Sequence, residues 1–136
     1  FQLRWAVDQG YRDAKLQKDC NQIVRAMPEL LAGREESTSL LHGDLWSGNY
    51  LIAENGTPFL IDPATYFGHH EIDIAMTRLF GGFDTAFYDA YSEHFPEIGS
   101  EKERNDIYQL YYLLVHLNLF GSSYVGQVKR ILNKYF

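Results

Sequence analysis

The chain has 136 residues, with 12 Lys and Arg against 18 Asp and Glu, a formal net charge of −6 with histidine neutral. That length suits one domain or one lobe of a larger one, and an acidic balance without a basic stripe disfavours a nucleic-acid partner, because phosphate contacts need clustered Lys and Arg. A hydrophobic share of 46% and an aromatic share of 15% exclude the composition of a disordered chain, and no uncharged run approaches the roughly 20 apolar residues of a membrane span.

The chain opens on Phe1, without an initiator Met, directly into an amphipathic pattern, so a preceding segment is expected. Leu3, Ala6, Val7, Gly10, Tyr11 and Ala14 recur at three- and four-residue steps, which predicts a helix with one apolar face, weakened at Gly10. A second helical pattern runs through Cys20, Ile23, Val24, Met27, Leu30 and Leu31, with Pro28 expected to kink it or start a new turn. Both read as packing helices. The lone Cys20 can form neither an internal disulfide nor a cysteine-based zinc site, which points to a reducing, cytoplasmic setting. Residues 32–39, rich in Gly, charge and small hydroxyls, read as a loop.

Residues 49–53 and 58–62 are short apolar runs separated by Glu54-Asn55-Gly56-Thr57, and Asn-Gly is the strongest short hairpin signal. A two-residue turn centred on Asn55 and Gly56 predicts that Ala53 faces Pro58, Leu51 faces Leu60 and Asn49 faces Asp62, with Pro58 at a position where its missing N–H does no harm. Tyr50, Ile52, Phe59 and Ile61 would then line one face and Leu51 and Leu60 the other, both covered. Downstream, Ile72, Ala75, Met76 and Leu79 predict a short helix stopped by Gly81-Gly82, and Phe83, Phe87, Tyr88 and Tyr91 another before a loop at residues 96–99. Ile107, Leu110, Tyr111, Leu114, Leu117 and Leu119 describe a long apolar helix ended at Gly121. Val125, Val128, Ile131, Leu132 and Tyr135 describe a last one. The fold class is mainly α with a small β-hairpin.

The predicted register sets Asn49 opposite Asp62, with Cα atoms roughly 4.5 Å apart. An amide oxygen and a carboxylate are ligands that Mg²⁺ accepts, and two protein ligands leave room for phosphate and water. Asp44, five residues before Asn49, is a loop carboxylate able to accept a proton from a substrate hydroxyl while Asn49 and Asp62 hold the metal. The alternative for all three is loop capping and turn formation.

At these residues the sequence resembles the kinase catalytic loop, H-x-D-L-x-x-x-N followed by a metal-binding Asp after a hairpin. Gly43 stands where protein kinases have arginine, Asp62-Pro63-Ala64 replaces Asp-Phe-Gly, and nothing like Ala-Pro-Glu follows. More narrowly, His42-Gly43-Asp44-Leu45-Trp46-Ser47-Gly48-Asn49, Asp62-Pro63-Ala64-Thr65-Tyr66-Phe67-Gly68, Glu71-Ile72-Asp73-Ile74-Ala75-Met76-Thr77, Leu79-Phe80-Gly81-Gly82-Phe83 and Leu117-Asn118-Leu119-Phe120-Gly121 together resemble the fructosamine (ketosamine-3-) kinase family. The resemblance implies the C-terminal lobe of a protein-kinase-like α+β fold over residues 1–136. It also implies ATP-dependent phosphorylation of a sugar hydroxyl on a glycated amine or glycated lysine.

In that resemblance Asp44 is the catalytic base, Asn49 and Asp62 hold Mg²⁺ and with it ATP, and His42 and Asp73 support the catalytic loop. Trp46 and Ser47 read as substrate contacts or packing. His116 and Asn118 read as satisfied core polar groups or as substrate-pocket contacts, and His116 is a candidate substrate-binding residue with Trp46 and Ser47. Gly81-Gly82 and Gly121 read as helix stops. His69-His70-Glu71-Ile72-Asp73 invites a metal site, yet adjacent residues cannot all face one ion. No glycine-rich loop or strand-borne Lys is found, so a separate N-terminal nucleotide-covering lobe is expected, with the isolated 136 residues inactive. Competing readings are an aminoglycoside- or choline-type phosphotransferase and a non-catalytic substrate-binding or regulatory lobe.

Overall fold

A computed structural model describes residues 1–11, 14–31, 38–96 and 101–135; the side chains of Leu3 and Cys20 and most of the expected 32–39 and 96–99 loops lie outside the described residues. The chain divides into two compact units, one comprising residues 1–34 and 106–136, the other residues 35–105.

The first unit is helical. The initial amphipathic pattern forms only the short α1 (Gln2–Asp8), because Gly10 ends it instead of merely weakening it, and Ala14 begins α2 (Ala14–Leu30), which carries the second pattern. Gly10 has φ +97°, its N–H bonds the Val7 carbonyl at 3.2 Å, and the Tyr11 N–H bonds Ala6 at 3.2 Å. These paired bonds satisfy carbonyls that a helix end would otherwise leave open. Pro28 neither breaks α2 nor starts a new turn: it falls in the last turn, and the Leu31 N–H still reaches Met27 at 2.9 Å. A proline so near the end removes one bond where few remain to lose.

The long apolar pattern becomes α5 (Glu101–Phe120), whose first five residues belong to the second unit, and α6 (Val125–Tyr135) follows a 3-10 turn at Ser122–Tyr124. Gly121, at φ +93°, stops α5 as expected. Leu16 and Ile23 of α2 are buried, as are Leu113 and Leu117 of α5 and Val128 and Leu132 of α6. Asp106 is also buried, and its charge is met by Lys134 Nζ at 2.7 and 2.9 Å and by the Tyr135 hydroxyl at 2.9 Å. Among the described residues no helix is long and apolar enough to cross a membrane.

The second unit holds two antiparallel strand pairs rather than the single hairpin expected. β1 (Ser39–Leu41) pairs with β4 (Tyr66–Gly68), and β2 (Tyr50–Ile52) with β3 (Pro58–Leu60). Three-residue strands are too short to show alternation in sequence, which is why β1 and β4 escaped notice.

The β2–β3 register is also one residue away from the expected one: Tyr50 faces Leu60, Leu51 faces Phe59 and Ile52 faces Pro58. The Gly56 N–H bonds the Ala53 carbonyl at 2.8 Å, the Ala53 N–H bonds Thr57 at 2.9 Å, and Gly56 sits at φ +82°. This is a three-residue loop, a turn followed by a left-handed glycine, in place of the two-residue turn. Pro58 still falls between hydrogen-bonded pairs, so its missing N–H remains harmless. The slip regroups the faces, as a one-residue shift must, and Leu51, Ile52, Phe59 and Leu60 are exposed rather than covered.

α3 (Glu71–Phe80) and α4 (Thr85–His94) complete this unit. The Asp84 carboxylate caps α4 by accepting the Phe87 N–H at 3.0 Å. Ile74, Ala75, Met76 and Thr77 are all buried, so α3 is covered all the way round over that turn.

Leu117, in the last turn of α5, is fully buried. Leu117→Ala should therefore lower the unfolding free energy by about 2–5 kcal/mol. Denaturant unfolding of the two proteins side by side measures this, and a loss of a few tenths would contradict the packing described.

Candidate active site

The site grows from the segment between β1 and β2. Asp73, in the first turn of α3, accepts the backbone N–H of His42 through Oδ2 at 2.7 Å and that of Gly43 through Oδ1 at 2.9 Å. One carboxylate thus fixes two consecutive peptide groups, and hydrogen bonds to an ionised acceptor are the strong ones. On the other side, the His42 carbonyl accepts the Ala64 N–H at 2.8 Å.

The His42 ring, buried, spans the same gap. Its Nε2 lies 3.0 Å from the Ile61 carbonyl and its Nδ1 lies 3.3 Å from the Asp44 N–H. A carbonyl can only accept, so Nε2 carries the proton and Nδ1 accepts from Asp44. His42 therefore links the backbone of Asp44 to the residue just before Asp62. Gly43 has φ +82°, and a Cβ there would stand 2.1 Å from the Ala64 carbonyl oxygen. The loop comes so close to residues 62–64 that only glycine fits.

A 3-10 turn at Ser47–Asn49 then returns the chain. Asn49 is buried, and its Nδ2 donates to the Asp44 carbonyl at 2.8 Å and to Asp44 Oδ2 at 2.9 Å. Asp44 and Asn49 are thereby in direct contact. Asn49 does not face Asp62 across the ribbon, as the two-residue turn would require. Its carbonyl instead accepts the Ile61 N–H at 3.0 Å, which leaves Asp62 one residue farther along. At φ +54°, Asp62 is the one non-glycine residue with positive φ among those described, so it leaves the strand conformation immediately after that bond.

The neighbouring residues are held by close backbone approaches. A Cβ on Gly48 would lie 2.5 Å from the Trp46 ring, so the half-exposed indole rests on that glycine. Gly82, at φ +95°, comes so near Ser47 that an added Cβ would stand 2.1 Å from the serine Cβ. The Tyr50 hydroxyl donates to the Gly82 carbonyl at 3.2 Å, and the Tyr50 ring lies 5.1 Å from that of Phe83. Gly81 ends α3 through its N–H to Thr77 at 2.9 Å, a helix stop as expected. Gly82 does something the sequence did not reveal, since closeness to Ser47 leaves no periodic trace.

His42, Asp44, Trp46, Ser47, Asn49, Asp62 and Asp73 all belong to the second unit. His116 does not. In the helical unit its Nδ1 donates to the Tyr112 carbonyl at 2.8 Å, and its ring lies 5.3 Å from Phe120 and 5.2 Å from Tyr124. Asn118 donates to the Gln2 carbonyl and to Gln2 Oε1, both at 2.8 Å.

The histidine-rich stretch is absorbed by structure: His70 Nδ1 bonds the Tyr91 hydroxyl, and Glu71 forms a buried pair with Arg104. Among the described residues no three His, Cys, Asp or Glu side chains form a metal cluster. Asn49 and Asp62 remain suitable for a hard cation. With Asn49 Nδ2 committed to Asp44, Oδ1 is the atom it could offer a cation, and Mg²⁺ needs only one or two protein oxygens when phosphate and water supply the rest.

Likeness to solved structures sets the class. The chain matches a Thermobifida fusca protein assigned as a fructosamine-3-kinase at a TM-score of 0.86 and 35% identity, over 97% of this chain and 46% of that one, a kinase-like fold. All of residues 1–136 match the family model described as fructosamine kinase, and the chain belongs to that family. It is 59% identical over 97 residues to a Lactiplantibacillus plantarum protein named probable ketoamine kinase, covering 71% of this chain and 35% of that one. It is 38% identical over 135 residues to the chloroplastic protein-ribulosamine 3-kinase of Arabidopsis thaliana, covering 99% of this chain and 41% of that one. The chain spans less than half the length of these relatives.

Gly43→Ala introduces both a left-handed alanine and a clash with the Ala64 carbonyl. It should lower the unfolding midpoint and speed hydrogen exchange at the Ala64 amide, whereas unchanged exchange there would contradict the close approach.

Proposed function

We propose that the parent protein is an ATP-dependent ketoamine kinase, transferring the γ-phosphoryl group to a sugar hydroxyl of a glycated amine or glycated lysine. The observation that carries this reading is the 2.9 Å bond from Asn49 Nδ2 to Asp44 Oδ2, in a loop whose backbone is fixed by Asp73. It puts a candidate base and a candidate cation ligand in contact on one rigid segment. Family membership supplies the substrate class, and the relatives' names point to ketoamines and ribulosamines.

In this mechanism the acceptor hydroxyl oxygen bonds to phosphorus as the bond to ADP breaks, and Asp44 takes the hydroxyl proton. Asn49 holds one oxygen of the Asp44 carboxylate and thereby directs the other. Asp62 and Asn49 would hold Mg²⁺, and the ion would supply charge neutralisation at the phosphates. His42 and Asp73 act on position alone, since both are committed to backbone groups. Trp46, half exposed beside the loop, offers a flat apolar surface to the sugar, and Ser47 lies next to it. His116 belongs to this proposal only as a residue for substrate trials. A reducing compartment such as the cytoplasm fits the single cysteine.

A nucleotide-covering lobe completes the site in this reading. The exposed Leu51, Ile52, Phe59 and Leu60 are the kind of apolar surface such a lobe covers. The 136 residues alone should bind ATP·Mg²⁺ weakly and transfer negligibly, while transfer at the full-length rate would refute the need for a second lobe.

In the full-length protein, Asp44→Asn should reduce turnover by about 10²-fold or more with nucleotide affinity nearly intact. Asp62→Asn should weaken Mg²⁺-dependent nucleotide binding. Steady-state kinetics and calorimetric titration separate the two, and equal Mg²⁺·ATP affinity in Asp62→Asn would reject its role as a ligand. A panel of fructosamine, ribulosamine, aminoglycoside and choline acceptors tests the substrate class. Failure to convert any glycated amine would overturn it, and ketoamine binding without turnover would instead mark a binding module.

A further inference from the structure

Arg104 and Glu71 form the most completely buried ion pair described in the second unit. Arg104 Nε donates to Glu71 Oε2 and Nη2 to Oε1, both at 2.7 Å, with side-chain exposures of 4% and 9%. Burying two charges is costly, and an apolar pair of similar volume would often serve stability as well. The pair is worth keeping if its geometry matters, because a bidentate guanidinium fixes direction as well as distance.

Its position gives that geometry a use. Glu71 is the first residue of α3, and Asp73, two residues on in the same turn, holds the N–H groups of His42 and Gly43. A second pair of reversed polarity, Arg78 Nη1 to Glu101 Oε1 at 2.8 Å, joins the far end of α3 to the start of α5. With acid on α3 at one end and base at the other, α3 is tied at both ends to the first turn of α5.

We infer that the Glu71–Arg104 pair is a positioning clamp for the phosphoryl-transfer loop: it fixes the first turn of α3, hence the Asp73 carboxylate, hence the backbone that presents Asp44. The chain of contacts is Arg104, Glu71, the α3 turn, Asp73, then the peptide groups preceding the base. In this proposal the clamp acts through Asp73 and not on the substrate. The link to catalysis rests on the proposed kinase reading, but the link to the loop backbone does not.

The test uses full-length protein and two independent readouts. The variants are Arg104→Lys, which keeps the charge without the fork, and the double substitution Glu71→Met with Arg104→Met, which removes both charges of the pair together. Native-state hydrogen exchange at the His42 and Gly43 amides should accelerate by about tenfold or more in the double variant and less in Arg104→Lys. The Ile61 and Gly121 amides should stay as in wild type. Ketoamine-dependent kcat should fall by at least about tenfold while KM for ATP is retained, because the base is misplaced and nucleotide binding is not.

Unchanged exchange at His42 and Gly43 in a folded double variant overturns the clamp. Equal acceleration at all four amides also overturns it, since that is general destabilisation. A wild-type protein without kinase activity overturns the functional reading alone, and the exchange experiment still decides the clamp.

Discussion

The carboxylate of Asp73 bonded to the amides of His42 and Gly43 is the constraint on which the site is built. Gly43 is in a left-handed conformation and pressed against Ala64, so the segment has little intrinsic preference for its path. Two charge-assisted bonds from a helix residue supply what local propensity cannot. Once those two peptides are fixed, the His42 ring has one place to go, between the Asp44 amide and the Ile61 carbonyl. The same ring then ties the loop to the far strand of the ribbon, so Asp44 and the approach to Asp62 are set by one residue.

Much of this was legible in the chain. The helices of the first unit follow their apolar stripes, and Gly81 and Gly121 end helices where the periodicity stops. The spacing of Asp44, Asn49 and Asp62 and the motifs around them pointed to the family. The hairpin register was not legible, because Glu54-Asn55-Gly56 is compatible with both a two-residue and a three-residue loop. The choice depends on Gly56 taking φ +82° and leaving the Ala53 amide to Thr57. That slip removed the expected Asn49–Asp62 pairing yet kept the residues near one another through the Ile61 bond.

Other features left no signal a periodic reading could detect. Arg104 is one charge among several in Glu101-Lys102-Glu103-Arg104, and only folding distinguishes it by burying it on Glu71. Gly82 looked like half of a helix stop, and its contact with Ser47 joins residues 35 apart in sequence. Both are non-local facts about positions where local chemistry is ordinary. His116 shows the opposite case: a histidine in an apolar helix draws attention on its own, and its Nδ1 donates to the carbonyl one turn back.

Strain separates the residues that hold the fold from those the fold holds ready. Asp73 and Glu71 are carboxylates whose oxygens are occupied by backbone amides and by a guanidinium, and each contributes to the architecture. Asp62 differs on every count. It is exposed, it adopts a left-handed conformation that asparagine and aspartate tolerate better than most residues but not freely, and no hydrogen bond or ion pair to its carboxylate is found among the described residues. In the proposed kinase reading, an exposed carboxylate held at positive φ one residue beyond the Ile61–Asn49 bond is the group that would take a hard cation carrying phosphate.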